Sequence, residues 1–101
     1  TGSAQSTRIL NNFQGSYLGT HAASIAEDGL RAFICGNEVA NGGSAAITVG
    51  ANGGYARITH NTCLGAGIDT SASAISLNVI EGNTDAGTIS FAVGDATGVN
   101  T

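Results

Sequence analysis

The sequence predicts an all-β protein, a small antiparallel β-sandwich or barrel of six to eight short strands with one disulfide. Three observations support this fold class. Short apolar segments recur at intervals of about ten residues, with Gly, Asn and Asp between them. Several of these segments alternate apolar and polar residues, as half-buried strands do. The chain also has an even number of cysteines, two. Its 101 residues suit one domain, and we predict a single domain over 1–101.

The clearest turn signal is Asp28-Gly29, which lies between the apolar segments 22–26 and 30–35. Asp-Gly favours a type I′ turn, because both residues tolerate positive φ, and such turns join antiparallel strands. We therefore predict a hairpin here. A helix is the alternative, because apolar residues from Leu18 to Ile34 also recur at three- and four-residue spacings, and this alternative stays open for 16–26. Gly19 and Gly29 disfavour that helix.

The other predicted strands follow in order along the chain. Residues 6–10 form a short apolar strand, and 13–20 a weaker one. The β-branched segments 45–49 and 55–60 flank a glycine-rich turn at 50–54, which predicts a second hairpin. Alternation in 74–80 predicts another strand. The last strand is 88–93, with Ile89, Phe91 and Val93 on one face.

The charge composition disfavours several partners. The chain has no lysine, and its three arginines, Arg8, Arg31 and Arg57, oppose seven carboxylates, so the net charge is −4. Nucleic-acid binding depends on basic patches, so we expect no nucleic-acid partner. Anionic membrane surfaces are disfavoured for the same reason. No apolar run has the length of a membrane-spanning helix, so we expect no membrane insertion.

The two cysteines, Cys35 and Cys63, predict a disulfide. A disulfide implies an oxidising compartment, so we expect an extracellular or cell-surface protein. Two buried free thiols are one alternative, since free cysteine is often buried. A zinc site is another, with His60 close to Cys63 in sequence and His21 elsewhere, although zinc needs about four such ligands.

The loop after residue 80 is a candidate calcium site. Glu81, Asn83 and Asp85 place oxygen ligands at alternate positions, a spacing that could bind calcium. The loop departs from the EF-hand pattern, because Ala86 and Ala92 stand where Gly and Glu are required. A solvated turn is the simpler interpretation, and we expect no other cofactor.

Catalytic motifs are not evident in the sequence. It contains no Gly-x-Ser-x-Gly elbow. Its glycine-rich segments have no lysine of the kind that phosphate-binding loops use. We therefore predict that the protein is not an enzyme.

The main functional hypothesis is a structural subunit of an extracellular filament, fimbria or surface coat. A small β domain exposes sheet edges that another chain can pair with, and strand exchange would add apolar contacts. The predicted donor is segment 1–10, with Ile9 and Leu10 as its apolar residues. The alternative is a secreted lectin- or adhesin-like domain that binds a carbohydrate or another ligand, with Tyr17 or Tyr55 as its aromatic surface.

Overall fold

The computed structural model describes residues 7–15, 23–40, 45–64, 67–84, 89–91 and 93–101. These residues form twelve short strands. In chain order the strands are β1 (Arg8–Leu10), β2 (Phe13–Gly15), β3 (Ala23–Glu27), β4 (Phe33–Cys35), β5 (Glu38–Ala40), β6 (Ala45–Val49), β7 (Arg57–Thr59), β8 (Thr62–Leu64), β9 (Gly67–Asp69), β10 (Val79–Glu81), β11 (Ile89–Ser90) and β12 (Ala96–Thr97). The all-β class is confirmed.

The strands form three parallel sheets rather than an antiparallel sandwich or barrel. Sheet 1 has the order β1-β4-β7-β10-β12, sheet 2 has β2-β5-β8, and sheet 3 has β11-β9-β6-β3. Every described strand pair is parallel. In each of its first three coils the chain visits sheets 1, 2 and 3 in turn and then returns to sheet 1 beside its previous strand. This is the architecture of a parallel β-helix, in which each coil contacts the coils before and after it.

Both predicted hairpins are wrong for the same reason. β3, which ends before Asp28-Gly29, pairs with β6 in sheet 3, whereas β4 lies in sheet 1. Likewise, β6 and β7 flank the glycine-rich turn at 50–54 and belong to different sheets. Asp28 accepts hydrogen bonds from the backbone N–H (2.9 Å) and side chain (2.8 Å) of Asn52, in the corresponding turn one coil later. These turns are therefore corners of the coil. Residues 23–26 of the ambiguous segment 16–26 belong to strand β3; residues 16–22 lie outside the described part.

The core consists of columns of stacked apolar side chains. Sheet 1 contributes one inward isoleucine per coil in the first four coils, and these pair in register: Ile9, Ile34, Ile58 and Ile80. The last three of them are fully buried, and Ile9 packs partly buried against the same core. Sheet 3 adds a second column of isoleucines: Ile25, Ile47, Ile68 and Ile89. Each strand is too short to bury much surface alone, so stability depends on stacking.

An asparagine ladder occupies the corner between sheets 1 and 2, with one member per coil: Asn12, Asn37, Asn61, Asn83 and Asn100. The backbone N–H and Nδ2 of each member donate to the Oδ1 of the next, at 2.8–3.1 Å. Nδ2 of each later member also donates to the isoleucine carbonyl of the previous coil, at 2.9–3.2 Å. The ladder thereby satisfies polar groups that a buried corner would otherwise leave unpaired.

The residue before each of the first four ladder asparagines has a left-handed backbone. The φ angles are 57° at Asn11, 72° at Gly36, 57° at His60 and 71° at Gly82. Gly and Asn adopt this region readily, whereas other residues enter it at a cost of roughly 1–2 kcal/mol. The left-handed residue turns the chain out of sheet 1 so that the following asparagine points into the corner.

The predicted disulfide does not form, and both cysteines are free thiols. Cys35 pairs with Thr59 in sheet 1, while Cys63 pairs with Val39 in sheet 2. The coil register therefore places the two cysteines in different columns, on different sheets. Cys63 is buried in the core, and burial raises the pKa of its thiol to about 11. The alternative of free thiols is the one that the structure supports.

The final predicted strand is shorter and less buried than expected. β11 covers Ile89–Ser90, and Ile89 packs on the core as predicted. Phe91 and Val93 do not share its inward face, because their side chains are 55% and 97% exposed. Among the described residues, no helix is long and apolar enough to cross a membrane.

Candidate functional site

All three arginines of the chain converge on one pocket of about 290 Å³ on the outer face of sheet 1. Its lining side chains are Arg8, Arg31, Phe33 and Arg57, and we call it the arginine pocket. The three arginines are exposed, and Phe33 is half-buried between them. A chain with a net charge of −4 thus concentrates its entire positive side-chain charge, histidines aside, at one site.

Strand register produces this convergence. Arg8 pairs with Phe33, and Phe33 pairs with Arg57, so the three form one outward column across β1, β4 and β7. Side chains two residues apart in a strand share a face, so the inward isoleucines lie between outward positions. Arg8 and Arg57 are separated by two strand spacings, about 9.6 Å, with the Phe33 ring between them.

Arg31 and Tyr55 extend the site at the corner that precedes sheet 1. Both have left-handed backbones, with φ of 60° and 54°. The Arg31 guanidinium carbon lies 6.0 Å from the centre of the Tyr55 ring, at the outer limit of a cation–π contact. The Arg31 N–H also donates to the Gly54 carbonyl, which ties its corner to the next coil at 2.9 Å. Left-handed non-glycine residues often accompany functional sites, although Leu77 occupies the same corner one coil later with φ of 58°.

None of the residues that line the arginine pocket carries a carboxylate. In the described part of the chain, neither Arg8 nor Arg57 forms an ion pair with a carboxylate. Below Arg57, the outward column continues with Val79 and Ala96, which are uncharged. Glu81 lies in the neighbouring outward column, one coil beyond Thr59. The positive potential is therefore confined to the first three coils, where planar guanidinium groups can bind a carboxylate, sulfate or phosphate through paired hydrogen bonds.

The residues predicted to bind calcium lie in different settings. Glu81 is exposed on β10, whereas Asn83 is buried in the asparagine ladder. The Asn83 Oδ1 accepts from the backbone N–H and the side chain of Asn61, at 2.9 and 3.0 Å. Asp85 lies outside the described residues. No group of three His, Cys, Asp or Glu side chains that could hold a metal ion occurs in the described part of the chain.

The predicted assembly segment is part of the protein's own first coil where it is described. β1 pairs with β4 through Ile9 and Leu10, opposite Ile34 and Cys35. Ile9 packs on the chain's own core, and Leu10 is 40% exposed. The alternative function, a ligand-binding domain, requires Ile9 to pack on the protein's own core in this way.

Of the remaining candidate binding residues, Tyr55 and His60 lie in the described part of the chain, whereas Tyr17 and His21 do not. Tyr55, one of the two aromatic residues considered for sugar binding, is 45% exposed beside the arginine pocket. Tyr17 and His21 lie outside the described residues. His60 is exposed at a corner of the coil.

The sequence contained a signal that would have located the arginine pocket. Ile-x-x-Asn occurs once in each of the first four coils, at 9–12, 34–37, 58–61 and 80–83, and once out of phase with them, at 75–78. Aligning the chain on this repeat places Arg8, Phe33 and Arg57 at the same position of successive coils. A search for inexact repeats that allowed spacings of 22 to 25 residues would have found the column; no exact repeat exists.

Comparison with protein-family models, with curated proteins and with solved structures finds no match for this chain.

Proposed function

We propose that the protein is a binding module that captures an acidic saccharide in the arginine pocket. The observation that carries the proposal is the convergence of all three arginines around one half-buried aromatic ring. Among the described residues, neither Arg8 nor Arg57 forms an ion pair with a carboxylate, which favours an anionic ligand. The Phe33 ring and the neighbouring Tyr55 offer apolar surface of the kind on which the C–H face of a sugar packs.

The shape of the site also fits a binding function. The pocket of about 290 Å³ is at the small end of ligand sites. It is open on the face of a regular sheet, and its side chains come from three successive coils. Such a site can hold a segment of a longer chain.

Nucleic acid is the less favoured anion, although the sequence-based argument against a basic patch needs correction. The structure does gather the three arginines, which the charge count alone did not suggest. Nucleic-acid binders nevertheless neutralise many phosphates, and here three cations oppose seven carboxylates. The proposal therefore stays with a short acidic saccharide.

Calorimetric titration with a hyaluronan tetrasaccharide tests the proposal. We expect binding that weakens as salt is raised, because exposed charges are screened. The methyl-esterified tetrasaccharide, which has the same sugars without the carboxylate charge, should not bind. Arg57→Ala should weaken binding about tenfold, a loss of roughly 1.4 kcal/mol.

The matched control is Ser90→Asp, which changes the net charge by the same amount as Arg57→Ala. Ser90 is exposed on β11 in sheet 3, so this variant should bind almost as well as the unchanged protein. Equal binding of the acid and its ester would contradict the proposal. Tighter binding of a DNA or RNA oligonucleotide of equal charge would contradict it as well.

Self-association is the second candidate function, now as pairing of coil edges rather than donation of segment 1–10. The asparagine ladder has a direction, because each member donates to the Oδ1 of the next. Asn100 of one copy could therefore donate to Asn12 of another, a head-to-tail contact that repeats without closing. The coil of β12 also exposes apolar side chains, Val93 at 97% and Val99 at 81%.

Sedimentation velocity over a range of concentrations tests this second candidate. We expect the unchanged chain to associate and a variant with Val93→Asp and Val99→Asp to remain monomeric. Ser90→Asp controls for added charge. A chain that stays monomeric at high concentration would contradict a structural role in a filament, fimbria or surface coat. An extracellular or cell-surface location stays a proposal that now depends on the ligand, since the disulfide that argued for export does not form.

A further inference from the structure

We infer that the ligand is an oligosaccharide with acidic groups on alternate sugar residues, and that it lies across the strands, parallel to the direction in which the coils stack. This inference rests on the proposed function, and it specifies the spacing of charges that the arginine pocket recognises. It depends on where the arginines lie relative to one another.

Each of the first three coils contributes one arginine to the pocket. Arg8 belongs to the coil of β1, Arg31 to the corner before β4, and Arg57 to β7. A ligand that lay along a strand would therefore contact one arginine of its own coil. A ligand that crosses the strands reaches all three. A ligand that pairs more than one acidic group with an arginine must therefore cross the strands.

The distance between the two arginines of the outward column sets the ligand's repeat. Arg8 and Arg57 flank Phe33 in register, and two strand spacings amount to about 9.6 Å. One pyranose residue of an extended saccharide chain spans about half of that distance. A sugar with its carboxylate on Arg8 is therefore followed by a sugar over Phe33 and by a second acidic sugar at Arg57.

The middle position differs chemically from the two outer ones. Phe33 is half-buried and has no charge, so it provides an apolar surface for the face of a neutral sugar. An acidic group placed directly over this ring would lose hydration without gaining a paired hydrogen bond. The column therefore favours the order acidic, neutral, acidic over a run of adjacent acidic sugars.

Calorimetry with defined oligosaccharides separates this inference from the proposed function. The probes are the hyaluronan disaccharide, with one carboxylate, the tetrasaccharide, with two on alternate residues, and tetragalacturonate, with four on adjacent residues. We expect the tetrasaccharide to bind at least tenfold more tightly than the disaccharide, because the second contact is then intramolecular. Tetragalacturonate should bind more weakly than the tetrasaccharide.

Two variants sharpen the test. Arg8→Gln and Arg57→Gln should each reduce the affinity for the tetrasaccharide to within about twofold of that for the disaccharide. Ser90→Asp should preserve the tenfold difference, and circular dichroism of each variant checks that the fold is retained. Equal affinity for the two hyaluronan probes, with both weakened by Arg57→Gln, would overturn the alternate spacing and leave the proposed function standing. Failure of every acidic probe to bind would overturn both.

Discussion

The asparagine ladder and the arginine pocket are both built by stacking one residue of each coil on the next, yet they differ in composition. The ladder repeats the same side chain in five coils, and every member bonds its neighbours in the same way. The outward column of the pocket changes from Arg8 to Phe33 to Arg57 and then to Val79. One column is periodic and largely buried, and the other is irregular and open to solvent.

This difference indicates how the molecule divides stability from function. Identical asparagines satisfy one another only when the coils are in register, so the ladder fixes the register of the stack. The outward positions contribute little to that register, because their side chains point into solvent. A parallel β-helix can therefore carry a specific site on its outer face without disturbing its corners.

Removing one ladder asparagine should give the largest change in stability. Asn61→Ala removes the Oδ1 that accepts from Asn37 and the Nδ2 that donates to the Asn83 Oδ1 and to the Ile34 carbonyl. We expect a loss of about 3–5 kcal/mol in the free energy of unfolding, since several buried polar groups lose their partners. Asn12→Ala, the same substitution at the exposed first member, should cost about 1 kcal/mol. Urea denaturation measures both, and similar losses would contradict a cooperative ladder.

The thiol of Cys63 should make stability depend on alkaline pH. Burial raises its pKa from the ordinary value of 9.0 to about 11, so the folded state retains the thiol proton to a higher pH than the unfolded state does. The contribution of this group is present below pH 9 and is lost as the pH rises through 11. Urea denaturation across this range should show the decrease, and Cys63→Ala should reduce it.

The two sides of strand β7 should respond differently to substitution. Ile58 is fully buried and Arg57 is exposed, although they are adjacent in sequence. Ile58→Val should cost about 1 kcal/mol in stability and leave saccharide affinity unchanged. Arg57→Ala should change stability by less than about 0.5 kcal/mol and weaken binding. A variant of either residue that altered both properties strongly would show that the core and the pocket are coupled.

The smallest expected effect concerns the corner before the ladder. His60 has a left-handed backbone, and glycine stands at the same position in the coils on either side, Gly36 and Gly82. His60→Gly should stabilise the protein by about 0.5 kcal/mol, because relief of the left-handed strain exceeds the entropy cost of glycine. A lower melting temperature for this variant would indicate that the His60 side chain makes a stabilising contact.

Local patterns in the sequence located some of the strands but not their pairing, and they missed β5, β8, β9 and β12, which lie outside the predicted strands. The segment 45–49 is β6 as predicted, because alternation and β-branched residues are local properties. The turns at Asp28-Gly29 and 50–54 are predicted to be hairpin turns, but in the structure they are corners between two sheets of the coil. A turn residue determines the local backbone, whereas its partner one coil later determines the topology. The 24 residues that separate Asn37 from Asn61 are beyond the range of any local pattern.

The sequence predicted only part of the site, again because local patterns do not show which residues stack on one another. Tyr55 was a candidate because exposed aromatic residues can bind sugars, and the structure places it beside the pocket. The count of three arginines against seven carboxylates did not predict the arginine pocket, because a count of charges contains no information about stacking. The predicted disulfide between Cys35 and Cys63 also rested on a count, and coil register separates the two residues.

The most direct test of the division between ladder and pocket is a ¹⁵N NMR titration with the hyaluronan tetrasaccharide. The chain has three arginines and no lysine, so its arginine Nε–H signals number three. The account predicts that all three shift on addition of the tetrasaccharide, while the side-chain Nδ2 signals of the buried ladder members Asn37, Asn61 and Asn83 stay in place. Binding that shifts the ladder signals and leaves the arginine signals unmoved would contradict it.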